Sequence, residues 1–306
     1  MASLKELRNR IASIKSTAKI TSAMKMVSAA RFRKAQSLLT ESIFYSENLL
    51  NSVNRLLLEA KIEAKEKGVP FDYPKLIKGT GKSNIYLLMV FSSDRGLCGA
   101  FNMNVARVAM KRIAELKQEG KTVKIICVGK KAAAILKRKY GEDIIDVYEG
   151  IARKVIQYRE AVTIAYRVLD MYEREEVDFV EVIMNKFLSV ANSGIDDSII
   201  MPFKINCLEY SRKNPPSDRV GNAFYDYEPD VETMLQKVLA QLFKMIFFQA
   251  ILHSQTSEQG ARMTSMDNAS RNAGDIINKL SLKYNGIRQT AITTELTEII
   301  SGAEAL

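Results

Sequence analysis

No glycine or proline occurs before Gly68 in this 306-residue chain. Along that stretch Leu4, Leu7, Ile11, Ile14, Ala18 and Thr21 recur at alternating steps of three and four, the spacing that forms one face of an α-helix and the seam of a coiled coil. Good helix formers continue through NLLNSVNRLLLEAKIEAKEK, so the spacing predicts one helix from about Leu4 to about Glu66. At about 1.5 Å per residue it is roughly 90 Å long. A helix of that length outreaches a compact domain and needs a partner along its side.

The far end repeats the pattern. Its seam reads Leu235, Val238, Leu242, Met245, Gln249, Leu252, Thr256, Gln259, Met263, Met266, Ser270, Ala273, Ile277, Leu280, Tyr284, Ile287, Ala291 and Thr294, thirteen of them apolar. A second helix from about Asp230 to about Ser301 follows, roughly 105 Å long. Asn285-Gly286 ordinarily marks a turn, yet the seam passes through it in phase, so the helix is predicted to continue. The seam is thin at Ala18, Thr21, Thr256, Gln259 and Ser270, where an enclosing partner is expected to supply the missing burial. After Thr21 the next positions in phase are Lys25 and Ser28, where apolar register is lost, so Met24 is expected to turn partly outward.

Between the helices the period changes. Apolar, β-rich runs NIYLLMVFSS, TVKIICVG and VDFVEVIMNKFLS alternate with helical segments such as MNVARVAMKRIAELKQEG and REAVTIAYRVLDMYEREE, a pattern that argues a compact α/β domain. Polar stretches Lys61 to Ser83 and Ser211 to Asn222 read as connections. The expected architecture is α/β: a terminal helix over 1–66, a Rossmann-like domain with its connecting loops over 67–229, and a second terminal helix over 230–306. The inserted domain returns the chain to the side it left, so the terminal helices are expected to pair as an antiparallel coiled coil.

Phosphate-binding chemistry is tempting at three places. Gly81-Lys82-Ser83 and Gly120-Lys121-Thr122 end like a P-loop, but the position that needs the leading glycine is Leu76 in one and Glu115 in the other, and each precedes its strand. Gly129-Lys130-Lys131 follows a strand and opens a helix but lacks the Ser or Thr. The loop Ser92-Ser93-Asp94-Arg95-Gly96-Leu97-Cys98-Gly99-Ala100-Phe101-Asn102 stands where doubly wound folds hold ligands. It is not GxGxxG. Asp94 and Arg95 are expected to form a turn, Gly96 and Gly99 to permit a tight strand-to-helix reversal, and Asn102 to help cap the helix. The loop then serves the fold, an anion or a partner.

One histidine, His253, and three scattered cysteines, Cys98, Cys127 and Cys207, offer neither a catalytic triad nor a metal-ligand spacing. The cysteines read as reduced core thiols. The longest apolar stretch, Leu239 to Leu252, is broken by Gln241, Lys244 and Gln249 and falls short of the about 20 residues a bilayer span needs.

The charge is one-sided, with 45 Lys plus Arg against 35 Asp plus Glu. Nine of these bases lie in the first 35 residues beside one acid, Glu6. A mitochondrial presequence shares that composition but need not keep a seam. Two readings remain: a flank for acidic protein partners, or a basic coiled-coil protein that binds nucleic acid. Nucleic-acid binders interleave aromatics with their bases, and residues 1 to 36 hold only Phe32.

Three segments decide between these. MASLKELRNRIASIKSTAKITSAMKMVSAARFRKAQ at the start, SSDRGLCGAFN in the middle and ARMTSMDNASRNAGDIINKLSLKYNGIRQTAITTELTEIISGAEAL at the end resemble the gamma subunits of F-type ATP synthases, and the resemblance covers nearly the whole chain. It implies a non-catalytic central rotor stalk with no cofactor of its own. Such a stalk turns inside a ring of three alpha and three beta subunits and stands on the membrane rotor c ring beside the epsilon subunit. It passes ion-driven rotation to ATP synthesis. The resemblance also implies that Met24, Lys25, Arg262, Gln289 and Thr293 lie on the torque path where the shaft meets the beta subunits. The expected location is peripheral, on the cytoplasmic face of a bacterial cell membrane. The paired cysteines of the chloroplast regulatory insert are absent, and the stretches around 60–83 and 211–222 look extended.

Overall fold

A computed structural model of the chain describes residues 4–151, 154–189, 193–204 and 227–304. Cys207 and the connection at 211–222 lie outside the described residues. The elements run α1 (Leu4–Glu66), α2 (Lys75–Lys78), β1 (Ile85–Phe91), α3 (Phe101–Gln118), β2 (Thr122–Val128), α4 (Lys130–Tyr140), β3 (Ile144–Tyr148), α5 (Tyr158–Glu173), β4 (Phe179–Phe187), β5 (Ser193–Met201) and α6 (Val231–Glu304). The first helix has the bounds its spacing predicts, and α6 runs three residues past the expected end.

The strands form one sheet in the order β3-β2-β1-β4-β5. The first four are parallel and β5 returns antiparallel beside β4, so this is a doubly wound sheet with an antiparallel edge. Strand side chains alternate between two cores. Leu88, Val90, Ile125, Cys127 and Ile183 face α3 and α4, while Leu87, Met89, Phe91, Ile126, Val128 and Val182 face α5 and stretches of α1 and α6. This double burial is why β1 and β2 read as continuous apolar runs.

Two compact units emerge, residues 31–261 and residues 1–30 with 262–306. Their boundaries fall within α1 and α6. The physical reason lies in the core: Leu39, Val53, Leu56, Leu235, Leu239, Phe243 and Phe247 of the two helices are buried with the sheet. One 18-residue window of α6 reaches a mean hydropathy of 1.3, and 56% of it is buried inside the protein. Its apolarity belongs to that core.

Helix continues without a break through Asn285 and Gly286. A Cβ added at Gly286 meets nothing within 4 Å, so glycine there costs helix stability and gives no packing in return. Gly286→Ala is expected to stabilise the chain by about 0.5–1 kcal/mol, read as a higher denaturant midpoint at unchanged slope.

Candidate functional site

Chain order places the ligand crevice of this sheet at the carboxyl ends of β1 and β4, where the crossovers diverge. The loop after β1 lies there, and its donors and acceptors are committed to the fold. Asp94 accepts from the backbone N–H of Lys130 at 3.3 Å and of Gly150 at 3.0 Å. The Lys131 N–H donates to the Ser93 carbonyl at 3.1 Å and the Ala132 N–H to Ser92 Oγ at 3.1 Å. These three successive amides open α4, the position at which a helix N-terminus cradles phosphate. Here Ser92, Ser93 and Asp94 occupy them.

Two expectations for the loop need correction. Asn102 does not cap α3: its Oδ1 accepts from Ser93 N at 2.9 Å, and its amide donates to Ser93 Oγ at 2.8 Å and to Cys98 Sγ at 3.1 Å. It ties the loop back to the strand end. Gly96 has no positive φ, and the reversal uses Gly99 at φ +58° together with Leu97 at φ +66°. Leu97, which the sequence reading passed over, is 60% exposed, and Arg95 and Gly96 beside it are exposed as well.

Crevice and sheet edge are closed by α6. The run Ser254 to Gln259 is buried at every position. Gln255 accepts from Ile156 N at 3.1 Å and donates to the carbonyls of Ile151 and Lys154 at 3.0 and 3.2 Å. Ser257 donates to the Asn185 carbonyl at 3.1 Å, and Asn185 donates to that of Phe101 at 3.3 Å. Thr256 and Gln259 were expected to be buried by an enclosing partner. They are instead 0% and 4% exposed within the chain; Thr256 Oγ1 donates to the Leu252 carbonyl of its own helix at 2.7 Å, while Gln255 and Ser257 beside it take their polar partners from the sheet end.

Cysteine and histidine chemistry is quiet. Burial pushes the Cys127 thiol up to about 12 and pushes the His253 imidazole below its ordinary value. Among the described residues no group of three or more His, Cys, Asp or Glu could hold a metal ion.

The shaft residues lie in the helical unit. On α1 the seam turns polar but stays in phase at Lys25 and Ser28: Ser28 is buried and Lys25 half-buried. Lys25 Nζ donates to Asp267 Oδ1 at 2.6 Å, and Ser42, later on α1, accepts at its carbonyl from Gln249, earlier on α6, at 2.7 Å, so the two helices run antiparallel with Lys25 and Asp267 opposite. That contact gives Lys25 a partner within the chain, with its side chain 44% exposed. Met24 is half-buried beside it, on the flank of the seam. Arg262 is 7% exposed and engaged within the chain. Gln289 and Thr293 are exposed one turn apart, with Thr293 Oγ1 donating to the Gln289 carbonyl at 2.9 Å. Gln289 lies 22 residues beyond Asp267, about 33 Å along the helix, so the five residues form no single cluster.

Leu4 lies 21 residues before Lys25, which brings it level with residue 288 of α6. Beyond that level Ile292, Leu296, Ile299 and Ile300 are 56%, 58%, 70% and 50% exposed. Seam positions of α6 are buried or half-buried as far as Ala291 and open to solvent from Thr294.

The family model described as ATP synthase matches residues 3–306. The ATP synthase gamma chain of Maricaulis maris is 44% identical over 306 residues, covering 100% of both chains, and that of Rhodospirillum rubrum 42% identical with the same coverage. Among solved structures, a central stalk chain of the Tetrahymena thermophila mitochondrial ATP synthase aligns with a TM-score of 0.58 at 23% identity, over 82% of this chain and 99% of that one. The matches run from end to end, and the chain belongs to the ATP synthase gamma chain family.

Proposed function

We propose that this chain is the central rotor stalk of an F-type ATP synthase, a non-catalytic subunit that carries rotation from the membrane ring to the catalytic head. The observation that supports this most directly is the end of α6. Four large aliphatic side chains, Ile292, Leu296, Ile299 and Ile300, stand exposed within nine residues of that helix, an arrangement that in water calls for a surrounding apolar surface. A ring of alpha and beta subunits supplies one. The epsilon subunit and the c ring are the partners expected at the α/β unit, and the location is peripheral on the cytoplasmic face of the membrane. Nucleic acid is not favoured: Phe32, the sole aromatic among the first 36 residues, is buried edge-on against Phe187 at 5.4 Å and is closed to base stacking.

Affinity purification through this chain tests the reading. Alpha, beta and epsilon subunits are expected in the eluate with ATPase activity, and an eluate without alpha and beta overturns it.

Met24 tests the torque path. Ile20 and Val27, one turn to either side on the same face, are exposed, so this face of α1 offers an apolar surface on which a rotor can pass three equivalent acidic loops of the beta subunits, which the family resemblance implies, with shallow barriers. Met24→Lys puts an ammonium within reach of a carboxylate, and one charge-assisted hydrogen bond is worth about 1.5–3 kcal/mol. Turnover is expected to fall about ten- to a hundredfold in a complex that assembles normally. Wild-type synthesis and hydrolysis rates would remove Met24 from the path.

A further inference from the structure

Lys25 and Asp267 are 242 residues apart in sequence and meet at 2.6 Å across the seam. Their side chains are 44% and 29% exposed, so neither is a free surface charge. Asp267 is held further by Arg271, one turn on along its own helix. These hydrogen bonds, that from Lys25 foremost, keep the Asp267 carboxyl below the usual carboxylate range. On α1 the neighbouring seam positions are Thr21 and Ser28, small side chains that interlock weakly with a facing helix. Apolar packing therefore fixes the register least at this level.

The pair also discriminates against its nearest alternatives. Sliding α1 by one turn in one direction brings Lys25 opposite Arg271, a like charge. Sliding it by one turn in the other direction brings it opposite Met263, which leaves the ammonium without an acceptor. A polar pair at a seam position specifies register in this way by penalising the slipped states.

We propose that Lys25 and Asp267 form a register lock that makes α1 and α6 turn as one body at the level of Met24. The inference rests on the rotor reading given above. Torque taken up by one helix reaches the other only if they do not slide or roll past one another, and the lock opposes that movement where the seam is thinnest. Lys25 is on this account a positioning residue within the shaft and not a contact to the ring.

The test uses the whole complex reconstituted in vesicles with an imposed ion gradient. Lys25→Met and Asp267→Asn are each expected to lower the ratio of ATP synthesis to ATP hydrolysis about two- to fivefold. The reversed pair, Lys25→Glu with Asp267→Lys, made together with Arg271→Glu so that the slipped register again meets a like charge and residue 267 keeps its neighbouring partner, is expected to restore the wild-type ratio. A residue that merely supported folding would not be rescued by reversal, and a lysine that met the ring would be harmed by it. Wild-type ratios in both single variants, or a reversed pair as impaired as they are, would overturn the lock. Should the single variants fail to assemble, the reversed pair decides alone: assembly with normal coupling supports the lock, and failure to assemble or couple overturns it. A wild-type chain that does not enter a complex with alpha and beta subunits would instead defeat the rotor reading.

Discussion

Replacing Gly129 by alanine is expected to destabilise the α/β unit by roughly 3–5 kcal/mol. Gly129 sits between β2 and α4 with φ of +104°, a conformation that costs a non-glycine residue about 1–3 kcal/mol. A Cβ there would stand 2.2 Å from the Ser92 carbonyl oxygen and 2.7 Å from its carbonyl carbon. Both are backbone atoms and have no rotamer into which to retreat. Ser92 is pinned in turn, because its N–H donates to the Val128 carbonyl at 2.7 Å and its hydroxyl accepts from Ala132 N at 3.1 Å. Relief of the clash would pull apart the ends of β1 and β2 and the first turn of α4 together. Chemical denaturation of the purified full-length chain measures this, with Gly286→Ala as a substitution of opposite expected sign. A loss below about 1 kcal/mol would show that this junction is slack and that its closed hydrogen bonds do not hold the loop.

Periodicity made the helices legible, because nothing but repeated spacing is required to specify a long seam, and in α1 the absence of glycine and proline removes the alternatives. The strand order was not written in the sequence, but alternation of strand and helix restricted it to doubly wound arrangements. What escaped were interactions without a period. Asn102 looked like a helix cap because it stands near a helix start, whereas its amide is used by Ser93 and Cys98 of the loop before it. The polar run Ser254 to Gln259 looked like a thin seam awaiting another subunit, since a helical wheel shows which face is polar but not whose surface covers it. The sheet end of the same chain covers it. Lys25 looked like a break in the seam because its counterpart, Asp267, is at the other end of the sequence. For the shaft residues the sequence gives candidates, and the structure separates them by surroundings: Gln289 and Thr293 exposed, Met24 half-buried, Arg262 enclosed.

Truncating Arg112 is expected to cost about 3 kcal/mol of stability at neutral pH and less in mild acid. Glu181 lies on β4 with its side chain 1% exposed, and Arg112 of α3, 25% exposed, donates from Nε to both of its oxygens at 2.8 and 3.1 Å. Burial pushes the Glu181 carboxyl above the ordinary glutamate value, against the pull of the guanidinium. A carboxyl whose folded value is raised favours folding below its unfolded value, and that contribution is lost as pH rises through the folded value. In Arg112→Met the opposing attraction is gone, so the folded value rises further and a buried charge is left without its partner above it. The expected loss sits toward the low end of the range for a broken buried pair, because Arg112 keeps some contact with water. Lowering the pH from 8 to 5 should shrink the difference between variant and wild type, as protonation removes the unpaired charge. Arg112→Met combined with Glu181→Leu should recover most of the loss at pH 8, since an apolar pair of similar volume leaves no charge to desolvate. A variant equally destabilised at both pH values and not improved by Glu181→Leu would show that Arg112 acts by packing its aliphatic stem on the sheet and not through its charge.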